Sequence, residues 1–182
     1  MRVIAGALKG RRLAPVRGLM RPTGAKVREA IFDILGDAVI GARVLDLFAG
    51  TGALGIEALS RGAEMAVFVE DHPESLKVLR RNVESLDLEA RTRVLPLAVH
   101  SALKKLAVQG QKYDLAFLDP PYGGEKAAAA VQALAAATVM APGALVMVEH
   151  GRRDILPETA GNLQRLELRR YGDTQVAFYQ AV

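Results

Sequence analysis

The stretch Arg43-Val44-Leu45-Asp46-Leu47-Phe48-Ala49-Gly50-Thr51-Gly52-Ala53-Leu54-Gly55 reads as a buried strand, a glycine-rich turn and the start of a helix. Val44, Leu45, Leu47 and Phe48 make the short apolar run expected of a strand covered on both faces. Gly50, Gly52 and Gly55 then match G-x-G-x-x-G at the junction, and Glu70 stands twenty residues beyond Gly50. In that setting glycines allow a tight turn and close backbone approach to a ligand, and the later carboxylate sits where it can grip both hydroxyls of a ribose.

Outward from this junction, short apolar strands and helices alternate. A loose alternation around Gly10 in residues 1–14 predicts a short hairpin or extended arm. Thr23 can cap a helix whose Val27, Ala30, Ile31, Ile34 and Leu35 fall at helical spacing, with Gly36 or Gly41 ending it. Strands are expected at 43–48, 65–70, 94–99, 114–119 and 144–149, and helices at 53–61, 73–86, 101–108 and 126–140. Pro96 marks the third strand as irregular or an edge. Two closing strands, 163–170 and 175–180, flank Gly172-Asp173, a hairpin signal. The pattern predicts an α/β fold: a doubly wound, mostly parallel sheet of seven strands with a C-terminal antiparallel hairpin and a small N-terminal β extension. Residues 1–22 are read as the extension and 23–182 as the main domain.

At the end of the fourth strand stands Asp119-Pro120-Pro121-Tyr122. An exocyclic amino group on a nucleobase is a weak nucleophile, because its lone pair is delocalised into the ring. Two acceptors aimed at its hydrogens turn it out of conjugation. Asp119 offers a carboxylate, Pro120 a carbonyl fixed by the restricted Pro-Pro backbone, and Tyr122 a flat face for an unstacked base. The carboxyl ends of parallel strands share one crevice, so this element and the glycine loop should face each other. Asp46 beside the loop would repel a pyrophosphate but suits a ligand bearing an ammonium and a sulfonium. The residues therefore favour S-adenosylmethionine over NAD. The cofactor shell is expected from Asp46, Phe48, Ala49, Gly50, Thr51, Gly52, Gly55, Glu70 and Asp71.

Charge is uneven along the 182 residues. Residues 1–28 hold eight basic residues and no acid, whereas residues 29–182 hold sixteen basic and twenty acidic ones. A basic segment on a mildly acidic domain is the footprint of phosphate binding, and Arg2, Lys9, Arg11, Arg12, Arg17, Arg21 and Arg28 are the expected phosphate contacts. The competing expectation makes this segment a structural cover. The chain has no cysteine, which excludes disulfides and thiolate metal sites. Its apolar runs are too short to span a membrane, and no secretory signal is expected. His72, His100 and His150 show no metal-ligand spacing and read as loop histidines. Glu149 ends the fifth strand, where it can face the crevice, cap a helix or lie on the surface. A cytoplasmic monomer without metal is expected.

The combination of Asp46–Gly55 (46–55), Glu70 and Asp119–Tyr122 (119–122) resembles the class I methyltransferases that act on exocyclic amines. The start is similar to one family in particular. Met1-Arg2-Val3-Ile4-Ala5-Gly6, Lys9-Gly10-Arg11-Arg12-Leu13, Arg21-Pro22-Thr23 and Val27-Arg28-Glu29-Ala30-Ile31-Phe32 resemble the RsmD family. That resemblance implies a Rossmann-like domain that uses S-adenosylmethionine to methylate a guanine N2 in 16S ribosomal RNA, with the small ribosomal subunit as partner. Ala98 departs from the Asp or Asn that many such enzymes carry there. Adenine would then be held by backbone near Val99, by His100, or less tightly. The rival expectations are an N6-adenine methyltransferase acting on DNA or RNA, a protein glutamine methyltransferase, a reductase, and a non-catalytic RNA chaperone.

Overall fold

The computed structural model describes residues 1–16, 24–121, 123 and 125–182. Thr23, proposed above as a helix cap, lies outside them, as do Arg17, Arg21 and Tyr122. The helices are α1 (Ala25–Leu35), α2 (Ala53–Ser60), α3 (Pro73–Ser85), α4 (Val99–Val108) and α5 (Lys126–Ala137). The strands are β1 (Arg43–Leu47), β2 (Met65–Val69), β3 (Thr92–Leu95), β4 (Tyr113–Leu118), β5 (Met140–Gly151), β6 (Thr159–Ala160), β7 (Leu163–Tyr171) and β8 (Thr174–Ala181).

Among the described residues, eight strands form one sheet in the order β3-β2-β1-β4-β5-β8-β7-β6. The first five run parallel, and β8 joins β5 antiparallel. The eighth member, β6, is a two-residue strand beside β7 too short to leave a periodic trace in the sequence. Strand order reverses between β1 and β4, which pair from Val44↔Leu115 to Leu47↔Leu118. That reversal opens the crevice characteristic of doubly wound sheets.

The sheet is covered on both faces. One face carries Leu45, Leu47, Ala116, Leu118, Val146 and Val148 against α4 and α5. The other carries Val44, Phe68, Phe117, Met147 and Phe178 against α1, α2 and α3. The Phe32 ring of α1 meets Phe117 of β4 at 5.6 Å between centroids, tilted by 57°.

Residues 1–14 form the expected hairpin: Arg2 bridges Arg12, Val3 N–H donates to Arg11 O at 3.0 Å, and Leu13 N–H donates to Met1 O at 3.0 Å. Val3 and Leu13 are buried in the same core as α1–α3. Two polar residues of an otherwise apolar helix hold the hairpin. Glu57 accepts the N–H groups of Ile4 and Ala5 at 2.8 and 3.0 Å, and Ser60 accepts Leu8 N–H while donating to Ala5 O. Gly6, at φ +79, lies so close to the Ser60 carbonyl that a Cβ would overlap it.

Several boundaries differ from the sequence reading. The third strand stops at Leu95, because Pro96 has no N–H for the ladder, and Val99 opens α4 rather than closing a strand. The alanine-rich helix stops at Ala137, where Thr138 turns left-handed at φ +51. The fifth strand accordingly begins at Met140, and it includes His150, which is buried rather than in a loop.

Candidate functional site

The glycine turn leaves β1 on a strained backbone. Phe48 sits at φ +68, unusual for an aromatic residue, and Gly50 and Gly52 follow at φ +55 and +81. Ala49 N–H donates to Val69 O at 3.0 Å, and Gly52 N–H to Ala49 O at 2.7 Å, closing the turn. A Cβ on Gly50 would meet nothing nearer than Phe48 O at 4.0 Å, so this backbone can be approached closely. A Cβ on Gly55 would strike the Phe68 ring, so its role is to let α2 lie against the sheet.

Asp46 is buried beneath the first turn of α2 at 1% exposure. It accepts Gly55 N–H at 3.0 Å. Burial pushes its carboxyl up to about 7; the Gly55 N–H opposes that shift and the charge of Glu70 adds to it. No ion pair among the described residues compensates Asp46.

Glu70, one residue beyond β2, joins two loops. Its Oε2 accepts Gly50 N–H at 2.8 Å, and its Oε1 accepts the N–H groups of Asp71 and His72 at 3.0 and 2.8 Å. A carboxylate has about four acceptor positions, and three are occupied here. Asn82 of α3 adds support that the sequence reading missed. Its Nδ2 donates to Thr51 O at 2.9 Å and to Ala14 O at 3.2 Å, and its Oδ1 accepts Ala14 N–H at 2.7 Å. The available signal was a polar residue on the apolar stripe of α3, next to Val83. Ala98 precedes α4 and Val99 opens it, at the same end of the sheet.

Asp119 is the first residue past β4, partly exposed, and Pro120 is buried behind it. Leu118 pairs with Leu47, so Phe48 and Asp119 leave adjacent strands side by side across the crevice. Glu149, near the end of β5, is 3% exposed, which excludes the surface role, and it shares the sheet face of Met147.

The basic residues separate. Arg2, Lys9, Arg11 and Arg12 are exposed. Arg11 Nη2 donates to Ser85 O at 2.6 Å, capping the end of α3. Arg28 corrects an expectation. Its guanidinium is buried at 1% exposure, donating to Arg2 O at 2.6 Å and lying 3.8 Å from Glu57. It therefore ties α1 to the hairpin instead of reaching phosphates. Burial holds its pKa below the ordinary value, against the pull of Glu57. No helix among the described residues is long and apolar enough to cross a membrane, and no group of three or more metal-ligating side chains occurs among them.

The family described as conserved hypothetical protein 95 matches residues 1–180. A Bacillus subtilis (strain 168) protein, YlbH, is 39% identical over 181 residues, covering 99% of this chain and 98% of its own. Ribosomal RNA small subunit methyltransferase D of Escherichia coli (strain K12) is 34% identical over 163 residues, covering 89% of this chain and 80% of its own. Among solved structures, the Thermus thermophilus 16S rRNA N2 G1207 methyltransferase RsmC, in complex with AdoMet and guanosine, superposes with a TM-score of 0.71 at 27% identity. That match covers 91% of this chain and 44% of the RsmC chain.

Proposed function

The chain belongs to the conserved hypothetical protein 95 family, the RsmD family of S-adenosylmethionine-dependent methyltransferases, and on that footing we propose that it methylates the exocyclic N2 amine of a guanine in 16S ribosomal RNA of the small subunit. The observation that carries this reading is the pairing of β1 with β4, which sets the glycine loop beside Asp119-Pro120 at the reversal of strand order.

The residues present fit S-adenosylmethionine. Gly50 leaves its backbone open to close approach, Glu70 retains one acceptor position for a ribose hydroxyl, and no ion pair among the described residues engages buried Asp46. Phe48, Ala49, Thr51, Gly52 and Asp71 complete the shell, and Gly55 supports it by letting α2 lie against the sheet and by donating to Asp46. The first N–H groups of α4, at Val99, have no acceptor within their own helix and suit the ring nitrogen of adenine. When bound, the cofactor supplies a methyl group already activated by its sulfonium, so no covalent enzyme intermediate is required.

The protein then has three tasks. Asp119 and the Pro120 carbonyl accept the two amine hydrogens and free the nitrogen lone pair. Tyr122 provides the stacking face. The crevice between β1 and β4 aligns the amine with the methyl group and excludes water. Residues 1–22 serve as the RNA-docking extension of the domain at 23–182, through Arg2, Lys9, Arg11 and Arg12, with Arg17 and Arg21 completing the set. The enzyme acts as a cytoplasmic monomer.

The deciding experiment is transfer of labelled methyl into unmodified small subunits, followed by mapping of the modified base. Label on a guanine N2 is expected. Label on an adenine N6 would transfer the assignment to the rival chemistry, and absence of label in RNA would end it.

A further inference from the structure

The hairpin does not end the basic surface of this molecule. Helix α3 lies beside it, joined through Asn82 to Ala14 and through Ser85 to Arg11. Lys77, Arg80 and Arg81 stand exposed on its outer side, lining a shallow groove with Pro73, Leu76 and Glu84. Lys77, Arg81 and Ser85 are spaced by four residues, so they form one row along the helix. Helix α3 begins beside Glu70, whose Oε1 accepts the His72 N–H, and the row runs from one turn into the helix to the point where Arg11 grips the Ser85 carbonyl. The acids on this helix, Glu74 and Glu84, are both exposed, and no ion pair among the described residues engages Lys77, Arg80 or Arg81. An exposed cation left unpaired at a crevice rim is available to a phosphate.

We propose that the RNA-docking surface continues from the hairpin along this row, with Lys77 and Arg81 holding backbone phosphates of the strand whose base enters the crevice. The inference rests on the RNA reading above and adds a second element to it. Asn82 gives the arrangement a geometric reason. It fixes the hairpin, α3 and Thr51 of the glycine turn to one another, so phosphates held along the row have a set distance to the reaction centre.

The test compares two variants with equal change in charge. Lys77→Glu with Arg81→Glu alters the proposed row. Lys104→Glu with Lys105→Glu alters exposed residues of α4, which covers the opposite face of the sheet. All four side chains are exposed, so both variants should fold, and cofactor titration with thermal melting checks this. Binding of unmodified small-subunit RNA is measured across a salt series. The α3 variant should bind at least about tenfold more weakly at low salt, and its log–log salt slope should flatten by about 1.4 for two lost contacts at roughly 0.7 each. The α4 variant should keep the native slope. Equal losses in both variants would reduce the effect to net charge and overturn the inference, as would no loss in the α3 variant. A native protein without salt-dependent RNA affinity would instead remove the RNA reading itself, and the inference with it.

Discussion

Glu70 accepts the backbone N–H of Gly50 at 2.8 Å, so the carboxylate at the end of β2 fixes the turn that follows β1. Replacing Glu70 with Ala therefore removes both a ribose acceptor and the support of the glycine turn. S-adenosylmethionine affinity should fall by about 1.5–3 kcal/mol, the range for a hydrogen bond involving a charged group. Isothermal titration measures this directly, and unchanged affinity would show that Glu70 does not bind the ribose.

Asp46 makes stability depend on pH. Its carboxyl is pushed up to about 7 in the folded protein against an ordinary value of 3.8. The folded state therefore holds a proton that the unfolded chain releases. The stabilisation this gives is complete below about 3.8 and is lost as pH rises through about 7. Asp46→Asn should remove this slope and gain on the native protein by up to about 4 kcal/mol at pH 8.5, using about 1.4 kcal/mol per unit. Urea unfolding at pH 5 and 8.5 tests it; parallel pH profiles for the two proteins would contradict it.

Asp119→Ala should separate binding from chemistry. Cofactor affinity is expected to stay within a few fold, because Glu70 and the glycine turn are untouched. The single-turnover rate should fall by at least about a hundredfold, the scale for losing a polar group that stabilises the transition state. A near-native rate would remove Asp119 from the role of orienting the amine.

Glu57→Ala leaves Arg28 buried without its neighbouring charge and frees the N–H groups of Ile4 and Ala5. Breaking a buried pair from one side costs about 3–5 kcal/mol. The melting temperature should drop sharply, and amide exchange in residues 3–13 should accelerate. A variant as stable as the native protein would mean that the hairpin does not depend on Glu57.

Much of this arrangement was legible in the sequence. Apolar runs of strand length alternating with helical stripes gave the parallel core, and the glycine spacing located the turn between β1 and α2. Less was legible where one segment satisfies two periods. The short segment around Val99 fits a strand by composition, but Pro96 ends the ladder and helix α4 takes the residue. Arg28 shows a different limit. Charge counting treats each arginine in residues 1–28 as surface, whereas a guanidinium can be buried when a carboxylate waits twenty-nine positions away in sequence on another helix. Glu57 in the apolar run Ala53-Leu54-Gly55-Ile56-Glu57-Ala58-Leu59-Ser60 was the visible hint.

Strand β8 is the last of the eight in chain order, yet it lies inside the sheet between β5 and β7, with Val176, Ala177, Phe178 and Tyr179 all buried. During synthesis, the growing chain must therefore carry β5 with one edge unpaired until residues 174–181 leave the ribosome. Until then that edge of β5 is open to wrong partners, and closure of the sheet waits for the final strand. A chain interrupted before residue 174 would keep every residue of the proposed site and still expose a sticky edge, making it a target for chaperones and proteases before it could bind cofactor.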